Sequence, residues 1–190
     1  MVDFSKYKFA RLCDGGLIVH LIPKVGHTTI SQLIAGKNPK HIIPSEDVPG
    51  FRFMCVRHPL DRIVSAWAFF TSRPVFHEHM ERIGYKKDMS FSEWLDFCLD
   101  KYGENVHTDK QILFTGGHEI DFLVPLEDLD EAWKLLSGRF KLPSMKRFNA
   151  SIHKPWEEYY DHKQKAAAEI VFSEDMELYN KALNWRKDNG

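Results

Sequence analysis

The sequence lacks any long hydrophobic run. No stretch approaches the roughly 18 consecutive apolar residues that a membrane-spanning helix requires, and the N-terminal segment MVDFSKYKFARLC has no apolar core of the kind found in signal peptides. From these two features we expect a soluble, cytoplasmic protein without a membrane span.

Cysteine is also scarce. The three cysteines, Cys13, Cys55 and Cys98, are odd in number and far apart, and two of them lie within apolar or amphipathic patterns. We therefore expect reduced core residues and no disulfide framework. Histidine is more frequent, but the most closely spaced pair, His77 and His79, lacks the i,i+4 spacing of ligands on a helix, so no metal site is predicted.

Neither sign of charge dominates the chain. The 26 lysines and arginines nearly balance the 27 acidic residues, which gives a formal net charge of −1. This balance argues against a protein whose whole surface binds nucleic acid or an anionic membrane, so any anion site must be local. The sequence contains no internal repeat and no low-complexity tract. Its 190 residues, 43% of them apolar, predict a single domain spanning 1–190.

The first candidate site follows an apolar run at 17–22, which predicts a buried strand. Pro23 ends the run because it cannot donate a hydrogen bond to a sheet. A short polar loop with one glycine follows at 24–27, and the spacing of the next apolar residues predicts a helix. Thr28 or Thr29 is expected to cap the start of that helix through its hydroxyl.

A strand, a tight loop and a helix start together favour an anion site. Unpaired N–H groups at the start of a helix attract anions, Lys24 adds a full positive charge, and Gly26 lets the backbone approach a phosphate-like group. The order differs from the common phosphate loop G-x-x-x-x-G-K-[ST], because here the lysine precedes the only glycine. The alternative is an ordinary strand-to-helix turn with an exposed lysine.

A second unit of the same kind begins with the predicted strand 51–56 and continues into a helix with Pro59 in its first turn. Arg57 lies at the end of this strand, whereas Arg62 and Ser65 lie on the face of the helix opposite its apolar residues. In open α/β sheets, ligands bind at the edge where the strands end. The alternatives are an exposed ion pair for Arg62 and a solvated helix position for Ser65.

The remaining pattern alternates strands and helices. Together with the two units above, it predicts an α/β fold, a three-layer sandwich with a central parallel sheet. The other predicted elements are a strand within 4–13 that turns at 14–16, a helix end near Gly36, an irregular connection at 37–50, helices at 77–85 and after Ser90, a strand at 121–125, and helices at 126–136, 163–172 and 174–183.

Four stretches, in order, resemble motifs of the sulfotransferases that use 3′-phosphoadenosine 5′-phosphosulfate (PAPS). They are IPKVGHTTI, VRHPLDRIVSAW, ENVHTDKQ followed by EIDFLVPLEDL, and FNASIHKPWEEYY. The chain is most similar to the carbohydrate sulfotransferases of the Golgi, the family 2 type, as a minimal soluble member. The resemblance implies their P-loop-NTPase-like fold, PAPS as the sulfate donor and no metal. It also implies an acceptor hydroxyl, expected on a carbohydrate, and no nucleic-acid partner.

The same resemblance implies which residues bind the donor. The first motif would bind the 5′-phosphosulfate and the second the 3′-phosphate, with a further contact from the loop 149–154. The residues carried over in this way are Lys24, Gly26, His27, Thr28, Thr29, Arg57, Ser65 and Lys154.

The resemblance also implies two catalytic residues. Lys24 would stabilise negative charge on the leaving phosphate oxygen, and His107 would accept the proton of the acceptor, since an imidazole changes its charge near neutral pH. Glu127 is the alternative base. His107 could instead be an exposed loop histidine, and Glu127 a charge that stabilises the start of a helix.

Two other functions remain open at this point. A P-loop-type kinase of a small molecule would also be an α/β anion-binding protein, but it would need a lysine after the glycine and a carboxylate for Mg²⁺. A non-catalytic module that binds adenosine bisphosphate would keep Lys24, Arg57 and Ser65 while tolerating the loss of His107.

Overall fold

In the computed structural model of the protein, the described residues are 9–72, 81, 84–101, 105–146 and 153–185. They form a five-stranded sheet in the order β3-β1-β2-β4-β5. The strands are β1 Ala10–Cys13, β2 Leu17–His20, β3 Lys40–Ile42, β4 Phe51–Val56 and β5 Phe122–Pro125.

The sheet is mixed. β2, β4 and β5 run parallel, with His20 beside Met54 and Met54 beside Leu123. β1 runs antiparallel to β2 and to β3 on the other side. The predicted α/β class is confirmed, and the parallel strands are those that carry the candidate loops.

β3 corrects the prediction of an irregular connection at 37–50. Prolines at positions 39 and 44 flank this strand and suggested a loop. An edge strand hydrogen-bonds to only one neighbour, so proline beside it costs little. β3 pairs only with β1, with Ile42 opposite Ala10.

Within the ranges given above, six α-helices accompany the sheet. The predicted helix after Ser90 begins with a capping box between Ser90 and Glu93, and both predicted closing helices are confirmed. The helices are α1 His27–Ile34, α2 Pro59–Ser72, α3 Phe91–Asp100, α4 Leu129–Phe140, α5 His162–Val171 and α6 Ser173–Leu183.

The start of α1 differs from the prediction. The residue that caps it is Gly26, so the prediction of a threonine cap is wrong. The predicted helix end near Gly36 is confirmed, since α1 ends at Ile34 and a 3₁₀ turn at Ala35–Lys37 follows it. The left-handed residue beyond this turn is Asn38, with φ 48°, rather than Gly36. Asparagine tolerates this conformation better than most residues do.

The core divides into two main clusters. One packs α1, α4 and α6 with the parallel strands, and the other packs α2, α3 and α5 together. Cys55 and Cys98 are buried free thiols, as predicted, and Cys13 is also buried and free. The predicted helix at 77–85 lies largely outside the described residues.

Candidate functional site

Two loops leave the same edge of the sheet side by side. The Lys24 loop, residues 23–26, follows β2, and the Arg57 turn, residues 57–58, follows β4. β2 and β4 are neighbouring parallel strands, so their carboxyl ends lie together. This geometry places the two predicted anion-binding units next to each other.

The Lys24 loop has an unusual backbone. Lys24 has φ 69° and Gly26 has φ 65°, both in the left-handed region. A non-glycine residue pays for this conformation, so surrounding contacts must hold it. At Gly26 a side chain would also be crowded, because a Cβ there would lie 3.3 Å from Leu129 Cδ2 and 3.4 Å from Leu126 Cδ1.

The loop leads directly into α1. No side-chain hydrogen bond caps the start of α1 among the described residues, so the first backbone N–H groups, from His27 onward, are suited to an anion. Thr28 is exposed at this end, whereas Thr29 is buried. The ring of His27 makes an edge contact with Phe9, and burial lowers the pKa of its imidazole.

Arg57 is held by side chains on several sides. Its Nε donates to Asp61 Oδ2 at 2.6 Å, and its Nη2 lies 2.9 Å from His153 Nε2. Gln111 fixes the backbone, because its amide accepts from Arg57 N at 3.0 Å and donates to Arg57 O at 2.8 Å. The guanidinium is therefore firmly oriented at the end of β4.

One hydrogen bond joins the two loops. Arg57 Nη1 donates to the carbonyl oxygen of Lys24 at 3.3 Å. The two residues predicted to bind separate anionic groups thus lie in contact at the sheet edge.

Arg62 ties the Lys24 loop to a third segment. Its guanidinium is buried and donates to three carbonyl oxygens, those of Pro23 at 3.1 Å, Val106 at 3.0 Å and Asp109 at 2.6 Å. Burial lowers its pKa to about 10, so it stays cationic at neutral pH. The alternative of an exposed ion pair is therefore wrong, and Arg62 connects the Lys24 loop to the segment that carries His107.

His107 lies on the base loop, residues 105–110. It lies near Lys24, because both side chains contact the ring of Phe69. Lys24 Nζ lies 3.9 Å from the centroid of the Phe69 ring, and the imidazole of His107 stacks on the same ring with 6.1 Å between centroids. The sequence analysis did not predict a role for Phe69. The spacing could have indicated one, since Arg62, Ser65 and Phe69 recur at i, i+3 and i+7 and so share one face of α2.

The start of α6 anchors the end of the base loop. Asp175 accepts from the backbone N–H of Gln111 at 2.7 Å and of Ile112 at 2.9 Å, and Lys110 pairs with Glu174 at 2.5 Å. Burial raises the pKa of the Asp175 carboxyl to about 6. The sequence reading missed Asp175, which lies more than sixty positions away from the segment that it binds.

The other predicted site residues differ in exposure. Ser65 is fully buried in α2, which contradicts the alternative of a solvated position. The Lys154 side chain is 74% exposed, and its Nζ lies 3.4 Å from Glu158. Glu127 accepts a hydrogen bond from the Tyr179 hydroxyl at 3.2 Å.

Within the described ranges, no group of three or more potential ligand side chains is arranged to hold a metal ion. In the same part of the chain, no helix combines the length and the apolar character needed to cross a bilayer.

Comparison with known proteins identifies one family. The model of the sulfotransferase family (Sulfotransfer_2) matches residues 49–183, well over half of the 190-residue chain. No curated protein matches. No solved structure matches either. The matched range contains the Arg57 turn, the base loop and α6, and it begins after the Lys24 loop.

The match agrees with the motifs in the sequence and with the α/β sheet whose two cationic loops meet at one edge. The chain belongs to the sulfotransferase family, and its activity is that of a transferase of sulfuryl groups.

Proposed function

We propose that this sulfotransferase moves a sulfuryl group from PAPS to an acceptor hydroxyl on a carbohydrate. The observation that carries the proposal is the 3.3 Å hydrogen bond from Arg57 Nη1 to the Lys24 carbonyl. PAPS has anionic groups at both ends of one nucleoside, and two adjacent cationic loops suit such a molecule.

The donor would bind across both loops. Lys24, Gly26 and the start of α1, with His27, Thr28 and Thr29, would hold the 5′-phosphosulfate, since helix N-termini bind anions. Arg57 and Ser65 would hold the 3′-phosphate. Lys154 would add a contact from its exposed loop. Each hydrogen bond to a charged group contributes roughly 1.5–3 kcal/mol.

The chain's own residues would supply charge and proton transfer. The bound nucleotide supplies the sulfuryl group: a bond forms from the acceptor oxygen to sulfur, and the bond from sulfur to the phosphate oxygen breaks. Lys24 would stabilise the electron pair left on that oxygen, as preorganised positive charge does in phosphoryl transfer. His107 would accept the proton released by the acceptor hydroxyl.

His107 is preferred to Glu127 as the base because of its surroundings. His107 and Lys24 both contact the ring of Phe69, which places the two proposed catalytic groups around one side chain. Glu127 instead accepts from Tyr179 at the start of the 3₁₀ turn Leu126–Asp128. The choice of a carbohydrate as acceptor is supported by the motif resemblance.

The test is a transfer assay with ³⁵S-labelled PAPS across sugars, phenols and lipids. For His107→Ala we expect unchanged affinity for adenosine 3′,5′-bisphosphate and a kcat reduced by about 100-fold, as for removal of a general base. His41→Ala, an exposed histidine on the edge strand β3, is the matched control.

Three outcomes would contradict parts of the proposal. Unchanged turnover of His107→Ala would remove the base assignment. Labelling of phenols or lipids but of no sugar would remove the carbohydrate acceptor. Binding of adenosine 3′,5′-bisphosphate by the wild type, without transfer to any acceptor, would favour a non-catalytic module.

A further inference from the structure

His153 lies against the guanidinium of Arg57. Its Nε2 is 2.9 Å from Arg57 Nη2 and 3.8 Å from Asp61 Oδ1. The side chains of these three residues are only 9–21% exposed. His153 comes from the segment before the 3₁₀ turn Trp156–Glu158, nearly a hundred positions from Arg57 along the chain. A contact of this kind therefore depends on the folded protein.

The partners of His153 define its protonation state. Its Nδ1 lies 2.8 Å from the carbonyl oxygen of Lys154, which can only accept, so Nδ1 carries the hydrogen. Its Nε2 faces Arg57 Nη2, which can only donate, so Nε2 presents a lone pair. The assignment follows from these hydrogen-bond partners. His153 is thus a neutral imidazole that accepts from Arg57.

This arrangement leaves part of the guanidinium available. A guanidinium has five N–H donors, and within the described part of the chain Arg57 uses three of them, toward Asp61, Lys24 and His153. The other two remain for a ligand. Arg57 is thereby fixed in position without being saturated.

The acceptors around Arg57 also leave its positive charge largely uncompensated. Asp61 is the carboxylate in direct contact with it, whereas the Lys24 carbonyl and the His153 imidazole are neutral. A second carboxylate in place of His153 would orient Arg57 equally well but would oppose the binding of an anion. A neutral acceptor at this position orients the cation and keeps it attractive to phosphate.

We propose that His153 is a positioning residue for the donor, which as a neutral hydrogen-bond acceptor holds Arg57 in the orientation that binds the 3′-phosphate. This inference rests on the proposed function, since it takes the anion at Arg57 to be that phosphate. It also gives His153 a different role from that of its neighbour Lys154, whose side chain is exposed and paired with Glu158.

The test compares two ligands that differ only in the 3′-phosphate. Adenosine 3′,5′-bisphosphate and adenosine 5′-phosphate are titrated calorimetrically into each variant. His153→Met keeps similar bulk without the acceptor, and we expect about tenfold weaker binding of the bisphosphate, the loss of roughly one hydrogen bond to a charged group. Binding of the monophosphate should not change.

Rescue and coupling separate positioning from a merely structural role. In His153→Gln the amide oxygen can accept from Arg57, so bisphosphate affinity should return to within about twofold of wild type. In an Arg57→Ala background, His153→Met should have no further effect, since the residue through which it acts is gone. His162→Met, at an exposed position at the start of α5, is the control.

Several results would overturn the inference. Equal bisphosphate affinity of His153→Met and wild type would do so, as would an equal loss for both ligands, or no rescue by glutamine. If His153→Met does not fold, as judged by thermal unfolding, His153→Asn replaces it, because its side chain is too short to reach Arg57. A wild type that binds both nucleotides equally would instead overturn the proposed 3′-phosphate site itself.

Discussion

The two loops at the sheet edge, the Lys24 loop and the Arg57 turn, are held in place by different interactions. The Lys24 loop owes its shape to the backbone, with two left-handed positions, Lys24 and Gly26, separated by one residue. The Arg57 turn owes its shape to side chains, since Asp61, Gln111 and His153 all hold it. The two loops are linked, because Arg57 and Arg62 donate to carbonyl oxygens of the Lys24 loop.

The family match covers only one of these two loops, the Arg57 turn. It begins at residue 49 and so includes the turn that side chains hold, but not the loop that the backbone shapes. The side-chain partners of Arg57 in that turn, Asp61, Gln111 and His153, all lie within the matched range.

Removal of the Lys24 charge should have the largest effect on activity. For Lys24→Ala we expect kcat to fall by about 100- to 1,000-fold, the range found when one group that stabilises the transition state is removed. The measurement is steady-state sulfate transfer. Lys40→Ala, exposed on β3, is the control, and equal rates for Lys24→Ala and wild type would show that the first loop takes no part in chemistry.

Arg62→Met should destabilise the fold most. The substitution leaves three buried carbonyl groups without their donor, and we expect the free energy of unfolding to fall by about 3 kcal/mol. Chemical denaturation monitored by circular dichroism measures it. Arg139→Met, an exposed arginine on α4, serves for comparison. A loss below about 0.5 kcal/mol, typical of surface positions, would mean that Arg62 does not join the two segments.

Asp175 should make stability depend on pH. Its pKa is about 6 in the folded protein, above the ordinary value of an aspartate, so the folded state holds the proton more tightly than the unfolded state. The resulting stability is present below about pH 4 and is lost as pH rises to about 6, by about 2–3 kcal/mol.

In Asp175→Asn this loss between pH 4 and 6 should disappear, which denaturation at a series of pH values would show. Glu177→Gln, at an exposed position on the same helix, controls for the other titrating groups. An identical pH profile for Asp175→Asn and wild type would contradict the raised pKa of the buried Asp175 carboxyl.

Gly26→Ala, a substitution in the Lys24 loop, has the smallest expected effect of these changes. An alanine at φ 65° is strained, and its Cβ would be crowded by Leu126 and Leu129. We expect a loss of about 1–2 kcal/mol in unfolding free energy. Gly36→Ala, where no atom lies within 4 Å of the added Cβ, is the matched control. A stabilised Gly26→Ala would show that the loop does not need this conformation.

The sequence predicted the elements that depend on local patterns better than the features that do not. Periodicity and turn residues predicted the parallel strands, α2, α3 and the closing helices, because these depend on local patterns. The edge strand β3 was missed because its flanking prolines indicate a loop as readily as an edge. Gly26 as the cap of α1 was missed because two threonines follow it.

Within the site, two residues named in motifs, Lys24 and Arg57, lie together at the sheet edge, while several side chains that contact them were not predicted. Phe69, Asp175 and His153 act through contacts that span between about 38 and 96 positions of sequence. Such contacts leave no local pattern. Phe69, on the same helical face as Arg62, carried a signal that a helical projection could have revealed, and His153 lies within the fourth motif stretch.

A crystal structure with adenosine 3′,5′-bisphosphate tests the central claim most directly. We predict the 5′-phosphate at the Lys24 loop and the start of α1, and the 3′-phosphate on Arg57, with one adenosine bridging the two. A nucleotide that contacts only one of these loops, or that binds elsewhere on the sheet, would contradict it.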